Sequence, residues 1–244
     1  MTFWQAYKST YGEASAFLLA CPSLALIPAV FEILQHVAEM QIGMYVSIDA
    51  AKALENHPLR MAFGMVKILG LILPIYWVTR YIGFGRDALA ARRIDEHAAE
   101  LFGGYLLFQM ALAGLELFVI PKTGYWLLAT FIGGEIIAVL LAAWGAAAPL
   151  GNRAIGPLAS AKIMARHIPW TIAFFIAAML PLMIPHYLLG AAAIFSPTWS
   201  KWPILIADAF LVSWLAAVLA ASGYFAARRA AEQAGVNLLP QPAV

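Results

Sequence analysis

Apolar residues run along the chain in six long stretches separated by short polar segments, at about residues 15–37, 61–82, 101–120, 125–148, 169–192 and 203–225. Each is near the roughly 20 residues that cross a bilayer core at about 1.5 Å per residue. Hydrocarbon cannot hydrogen-bond backbone N–H and C=O groups, so a crossing segment must pair them within itself as a helix. The pattern therefore predicts an all-α fold: a polytopic integral membrane bundle of six transmembrane helices, forming a single domain over residues 1–244.

Composition strengthens this reading. Of 244 residues, 63% are hydrophobic and 11% charged, with a mean hydropathy of +0.81. Soluble domains carry about 25% charged residues, so a water-covered globule is excluded. The net charge of +2 comes from basic residues dispersed among loops, which excludes a nucleic-acid-binding face. The single cysteine, Cys21, excludes an intrachain disulfide and any multi-cysteine metal site. Leu18-Leu19-Ala20-Cys21 has the form of a lipoprotein cleavage box. However, the apolar run before it is short, Pro22 follows, and the run continues to Phe31, so no cleavage is expected.

Charge in the short loops predicts orientation. Lys8, Arg80, Arg86, Arg92, Arg93, Arg153, Lys162, Arg166, Arg228 and Arg229 fall on one side. The other side holds only Lys52, Arg60, Lys122 and Lys201. Ten against four predicts both termini in the cytoplasm and a multi-pass place in the cell (plasma) membrane. Trp77, Trp144 and Trp170 then sit near the inner boundary and Trp126, Trp199 and Trp202 near the outer one, as amphipathic rings prefer. Trp214 lies mid-helix and is expected to pack against a neighbour.

Between the helices, residues 83–100 mix charged and apolar positions and read either as an amphipathic surface helix or as a solvated extension of helix 3. Residues 149–168, with Pro149, Gly151, Gly156 and Pro157, predict a turn and a short helix. Residues 38–60 read as helix 1 running on into water until Pro58 stops it. Asn237 to Val244, with Pro240 and Pro242, reads as a frayed tail.

The chemistry lies in ionisable side chains within the spans, each costing about 2.5–3.5 kcal/mol to insert. They are Glu32 and His36 in helix 1, Lys67 in helix 2, Glu116 in helix 3, Glu135 in helix 4, His186 in helix 5 and Asp208 in helix 6. Counted from the outer boundary, Glu32, Lys67, Glu116, Glu135, His186 and Asp208 lie roughly 6–15 Å deep along their helices. That agreement predicts one polar layer, a substrate- or ion-binding site in the outer half of the bundle. Four carboxylates against one ammonium leave a formal −3 with neutral histidines. A low-dielectric site needs protons, a cation or water to hold such a charge.

Glu32, His36 and Glu39 share one helical face at i, i+4 and i+7. Imidazole and carboxylate at that spacing make them candidate metal ligands, and a polar face snorkelling to the interface fits the same spacing. Pro181 and Pro185 in helix 5, and Pro22 and Pro28 in helix 1, predict kinks near this layer. Ala138, Ala142 and Ala146, and Ala216 with Ala220, suit close helix packing. Gly83-Phe-Gly85 follows no strand and is no nucleotide fingerprint. No Ser/His/Asp triad or zinc-protease pattern is present, and no cofactor is predicted.

These features point to a small transporter or ion/proton-coupled membrane protein more than to an enzyme. The alternatives are an accessory or scaffold subunit of a larger membrane complex, and a metal-dependent membrane-embedded enzyme using Glu32, His36, Glu39 and His186. The expected surroundings are the lipid bilayer, with a homo-oligomer or membrane-complex partners and no nucleic acid.

Overall fold

The computed structural model describes residues 1–121 and 123–240, and all regular structure among them is helical. Lys122, Pro242 and the rest of the last four residues lie outside the described residues. Among the described residues, six segments are long and apolar enough to cross a membrane: Pro22–Gln41, Pro58–Gly83, Glu96–Phe118, Leu128–Leu150, Pro157–Phe195 and Thr198–Gln233, numbered here as spans 1 to 6. The chain is a multi-pass membrane bundle.

The first helix differs from the sequence expectation. Residues 15–20 belong to α1 (Phe3–Ala20), which is not a span. Thr2 and Gln5 cap its start reciprocally, satisfying two N-terminal amides. Cys21 leaves helical geometry because Pro22 follows it, and Pro22 opens α2 (Pro22–Ala25). Pro28 cannot donate to the carbonyl of Leu24, so span 1 restarts as α3 (Ile27–Gln41). α1 packs along spans 6 and 5, ahead of span 1 in the chain. Phe3 packs on Trp170 and Phe174, Tyr11 donates to the Ala178 carbonyl, and Phe17 meets Tyr81.

Past Gln41 the chain turns through α4 (Ile48–Ala53), and Pro58 begins the next helix instead of ending the previous one. Its ring pre-sets the first helical turn, and it lacks an N–H that would have no partner there anyway. Span 2 is α5 (Pro58–Ile72) and α6 (Pro74–Gly83), divided where Pro74 leaves the Gly70 carbonyl without its donor. Arg80, read as a loop residue, is buried in α6 and donates to the Ala90 and Pro149 carbonyls. Residues 83–100 split between the two expectations. They form the short α7 (Ala88–Arg92), then Asp95 caps α8 (Glu96–Phe118). Span 4 is carried by α9 (Tyr125–Ala147). Residues 149–168 turn into the short α10 (Pro157–Met164), as expected. α11 (Ile168–Phe195) continues through Pro181 and Pro185 without a break.

α12 (Thr198–Gln233) is the axis of the bundle. It packs against α1, α3, α6, α9 and α11, and half of its buried residues are alanine, including Ala209, Ala216, Ala217, Ala220 and Ala221. Small side chains let neighbouring backbones approach. Trp214, on its flank, packs edge-on against Tyr11. Met1 and Glu232 line one cleft, so the start of the chain and the end of α12 lie at the same end of the bundle.

Close approach also sets the pairing of α3 with α5. A Cβ at Gly70 would fall 2.6 Å from Phe31 Cβ, well inside van der Waals contact. Gly70→Ala is therefore expected to destabilise the protein by about 1–3 kcal/mol through overpacking. Gly103 has no neighbour within 4 Å of such an atom, so Gly103→Ala should be neutral or stabilising by up to about 1 kcal/mol. Thermal unfolding of both variants in detergent checks the contrast.

Candidate functional site

Glu32 lies nine residues before the end of α3, Lys67 nine after the start of α5, His186 nine before the end of α11, and Asp208 ten after the start of α12. At about 1.5 Å per residue all four sit roughly 15 Å from the same end of the bundle. The helices alternate in direction, so these groups meet at one level, around a cavity of about 300 Å³.

Two ion pairs join span 1 to span 2. Lys67 Nζ donates to Glu32 Oε1 at 2.8 Å, and Arg60 Nε donates to Glu39 Oε1 at 3.1 Å. The acids and the bases are each seven residues apart, on helices that run in opposite directions. One face of α3 therefore meets one face of α5 as a two-rung ladder. Asp208 joins the other two spans. His186 Nδ1 contacts Asp208 Oδ1 at 2.7 Å, and His36 Nε2 contacts Asp208 Oδ2 at 3.2 Å.

His36 sits at the centre. Its Nε2 also faces Glu32 Oε1 at 3.5 Å, and its Nδ1 lies 3.0 Å from the Tyr45 hydroxyl and 3.4 Å from Glu39 Oε2. Burial, together with the Glu39 carboxylate, pushes the Tyr45 phenol up, so it stays protonated and donates to Glu39 Oε2 at 2.6 Å. The Tyr45 oxygen is then an acceptor toward His36. Acceptors on both sides of the ring suit an imidazolium with a donor on each nitrogen. In that form three carboxylates, Glu32, Glu39 and Asp208, face three cations, Lys67, Arg60 and His36. The −3 expected from the sequence is replaced by a balanced set.

Exposure divides the site into floor and rim. The side chains of Glu32 and Asp208 are 1% exposed and that of His36 is 5%, whereas Lys67 and His186 are 18% exposed and Arg60 is 27%. The carboxylates and the central imidazole form the floor, and the cations with His186 form the accessible edge. One floor atom, Glu32 Oε2, is buried with no hydrogen-bond partner among the described residues.

Glu116 and Glu135 do not join this cluster. They line a separate cleft of about 320 Å³ with Gln109 and Thr130, and no basic side chain is among its described lining residues. Glu116 lies over Gly134, next to Glu135. These two carboxylates sit on spans 3 and 4, on the side of span 2 that carries Ile68 and Ile72, away from Lys67 and α3. Glu39 also departs from its expected role beside Glu32 and His36. It lies on the opposite edge of the imidazole, held by Gln35, Tyr45 and Arg60. Asp208 takes its place in the triad, with one donor atom each from Glu32, His36 and Asp208 within 4.8 Å of one another.

Gln35, Tyr45 and Arg60 were not among the sequence candidates. The seven-residue spacing of Arg60 and Lys67, mirroring Glu32 and Glu39, is the signal that points to Arg60. Tyr45 lies in a turn, and its position depends on Lys201, whose Nζ donates to the Tyr45 carbonyl. No periodicity announces such a contact.

Removing a cation from the edge leaves a buried carboxylate of the floor uncompensated. Lys67→Met is expected to cost about 3–5 kcal/mol, and adding Glu32→Gln in the same chain should recover most of that loss. Chemical unfolding of the single and double variants in detergent measures the coupling. No protein-family model matches the chain, and no curated protein or solved structure matches it.

Proposed function

We propose that this chain is a small membrane transporter or ion/proton-coupled membrane protein whose binding site is the cavity between spans 1, 2, 5 and 6. One observation carries the reading: Glu32, His36, Lys67, His186 and Asp208, drawn from four membrane spans, gather around that cavity. Charges within a membrane bundle are expensive and commonly mark an ion or substrate path. A purely structural ion pair needs two partners, whereas here the Asp208 carboxylate bridges two histidines and the network continues to Glu39 and Arg60.

The basic residues of the loops support a cytoplasmic location for both termini and a place in the plasma membrane. The cavity then lies in the outer half of the bundle and loads from outside. His186, Lys67 and Arg60 at its edge meet the entering solute first, and Glu32, His36 and Asp208 hold it. The proline-opened joints at Leu26 and Leu73 lie in spans 1 and 2, which supply both rungs of the ladder. They are the places where these two spans can bend without losing further backbone hydrogen bonds.

Reconstitution into liposomes tests the proposal. A proton or cation gradient should drive flux above that of protein-free liposomes, detected with an internal pH- or ion-sensitive dye. Glu32→Gln and Asp208→Asn should return it to the protein-free level, while Glu135→Gln, outside the cavity, should retain it. Flux equal to protein-free liposomes for protons and for a panel of monovalent cations, divalent cations and amines would contradict the proposal. So would flux indifferent to the two cavity variants.

A further inference from the structure

We infer that the floor of the cavity is a binding site for a first-row divalent transition-metal ion, held by Glu32, His36 and Asp208. Donor atoms from the three side chains lie within 4.8 Å of one another, and all three residues are buried. They come from two helices far apart in sequence, α3 and α12, so helix periodicity alone does not explain their approach. Glu32 and His36 share a face of α3 at i and i+4, while Asp208 is brought in by the packing of α12 against α3.

Independent support comes from an unused donor. Glu32 Oε1 is engaged by Lys67, but Glu32 Oε2 is buried without a partner among the described residues and belongs to a residue lining the cavity. A buried polar atom left without a partner is costly, and bound ions are among the accepted explanations for one. An ion at this floor would take up that oxygen without disturbing the Lys67 contact.

The charge and chemistry of the set agree. As a ligand His36 is neutral. Binding therefore releases the His36 proton, after which three carboxylates face Lys67 and Arg60 and one negative charge remains to offset part of the ion's own. One imidazole with two carboxylates suits manganese, iron, cobalt or zinc and is too nitrogen-rich for a typical magnesium or calcium site. Three protein ligands leave coordination positions free on the cavity side. Asp208 is already oriented: His186 Nδ1 contacts its Oδ1, leaving Oδ2 turned toward His36. Supporting contacts of this kind hold a ligating carboxylate in place.

This inference rests on the transport reading only in making the ion a cargo, and the two can fail separately. The full-length protein, purified in detergent and stripped with a chelator, is titrated with cobalt(II), zinc(II) and manganese(II), and bound metal is counted after equilibrium dialysis. One ion per chain is expected. Affinity should fall by at least about tenfold in Glu32→Gln and Asp208→Asn and stay unchanged in Glu135→Gln. Well under one ion per chain for all three metals overturns the site, as does full binding that survives both floor variants. If either variant fails to fold, manganese broadening of histidine resonances in the unmodified protein decides instead. Broadening of His36 and His186 supports the site, and broadening confined to His57, His97 or His167 overturns it. Stoichiometric metal binding without cation flux in liposomes would leave the site standing and remove the transport reading. Proton or other cation flux with no metal bound would do the reverse.

Discussion

Charge compensation inside the membrane governs this structure. Glu32 and Asp208 are almost wholly buried on spans 1 and 6, where an isolated carboxylate is too costly to keep. Each is held by a group from another helix: Lys67 from span 2 pairs with Glu32, and His186 from span 5 contacts Asp208. His36 binds the two halves together, since its Nε2 faces Glu32 and Asp208 at once. Four spans are thereby fixed in depth and rotation relative to one another, because sliding one helix by a turn would strand a charge.

Apolar packing sets how close these helices come. Gly70 lets α5 settle on Phe31, the residue beside Glu32, and three positions from Lys67. The packing of α12 against α3 brings Asp208 toward the same level. Neither contact specifies depth by itself, since lipid and side chains are equally apolar and offer little preference for one register over another. The ion pairs supply that preference. The same groups that fix the bundle also line its cavity, so architecture and candidate chemistry share their residues, and a substitution in the floor will affect both.

The sequence made the six spans legible because the cost of an unpaired backbone in hydrocarbon enforces long apolar runs. It also pointed to the polar layer: Glu32, His36, Lys67, His186 and Asp208 do meet at one level. Depth along a helix can be counted from sequence, but rotation about its axis cannot. Glu116 and Glu135 were placed in the same layer, yet they face a different cleft across span 2. Rotation also explains the exchange of Glu39 for Asp208 beside His36, since an imidazole has two edges and spacing along α3 does not say which edge meets which acid. The start of span 1 was misplaced because α1 is apolar enough to merge with it in a running average, although Pro22 marks the boundary. Tyr45 was hidden because a turn residue is positioned by tertiary contacts, here the reach of Lys201 to its carbonyl.

The bundle turns on Asp208, which joins His36 of span 1 to His186 of span 5. Nitrogen-15 NMR of the histidine side chains in lipid bilayers tests it most directly, comparing the unmodified chain with Asp208→Asn. Loss of the shared carboxylate should move the ring-nitrogen resonances of both His36 and His186 and leave those of His57, His97 and His167 in place. Resonances of His36 and His186 that do not respond would show that the two rings never met at Asp208, and the four-span site would have to be abandoned.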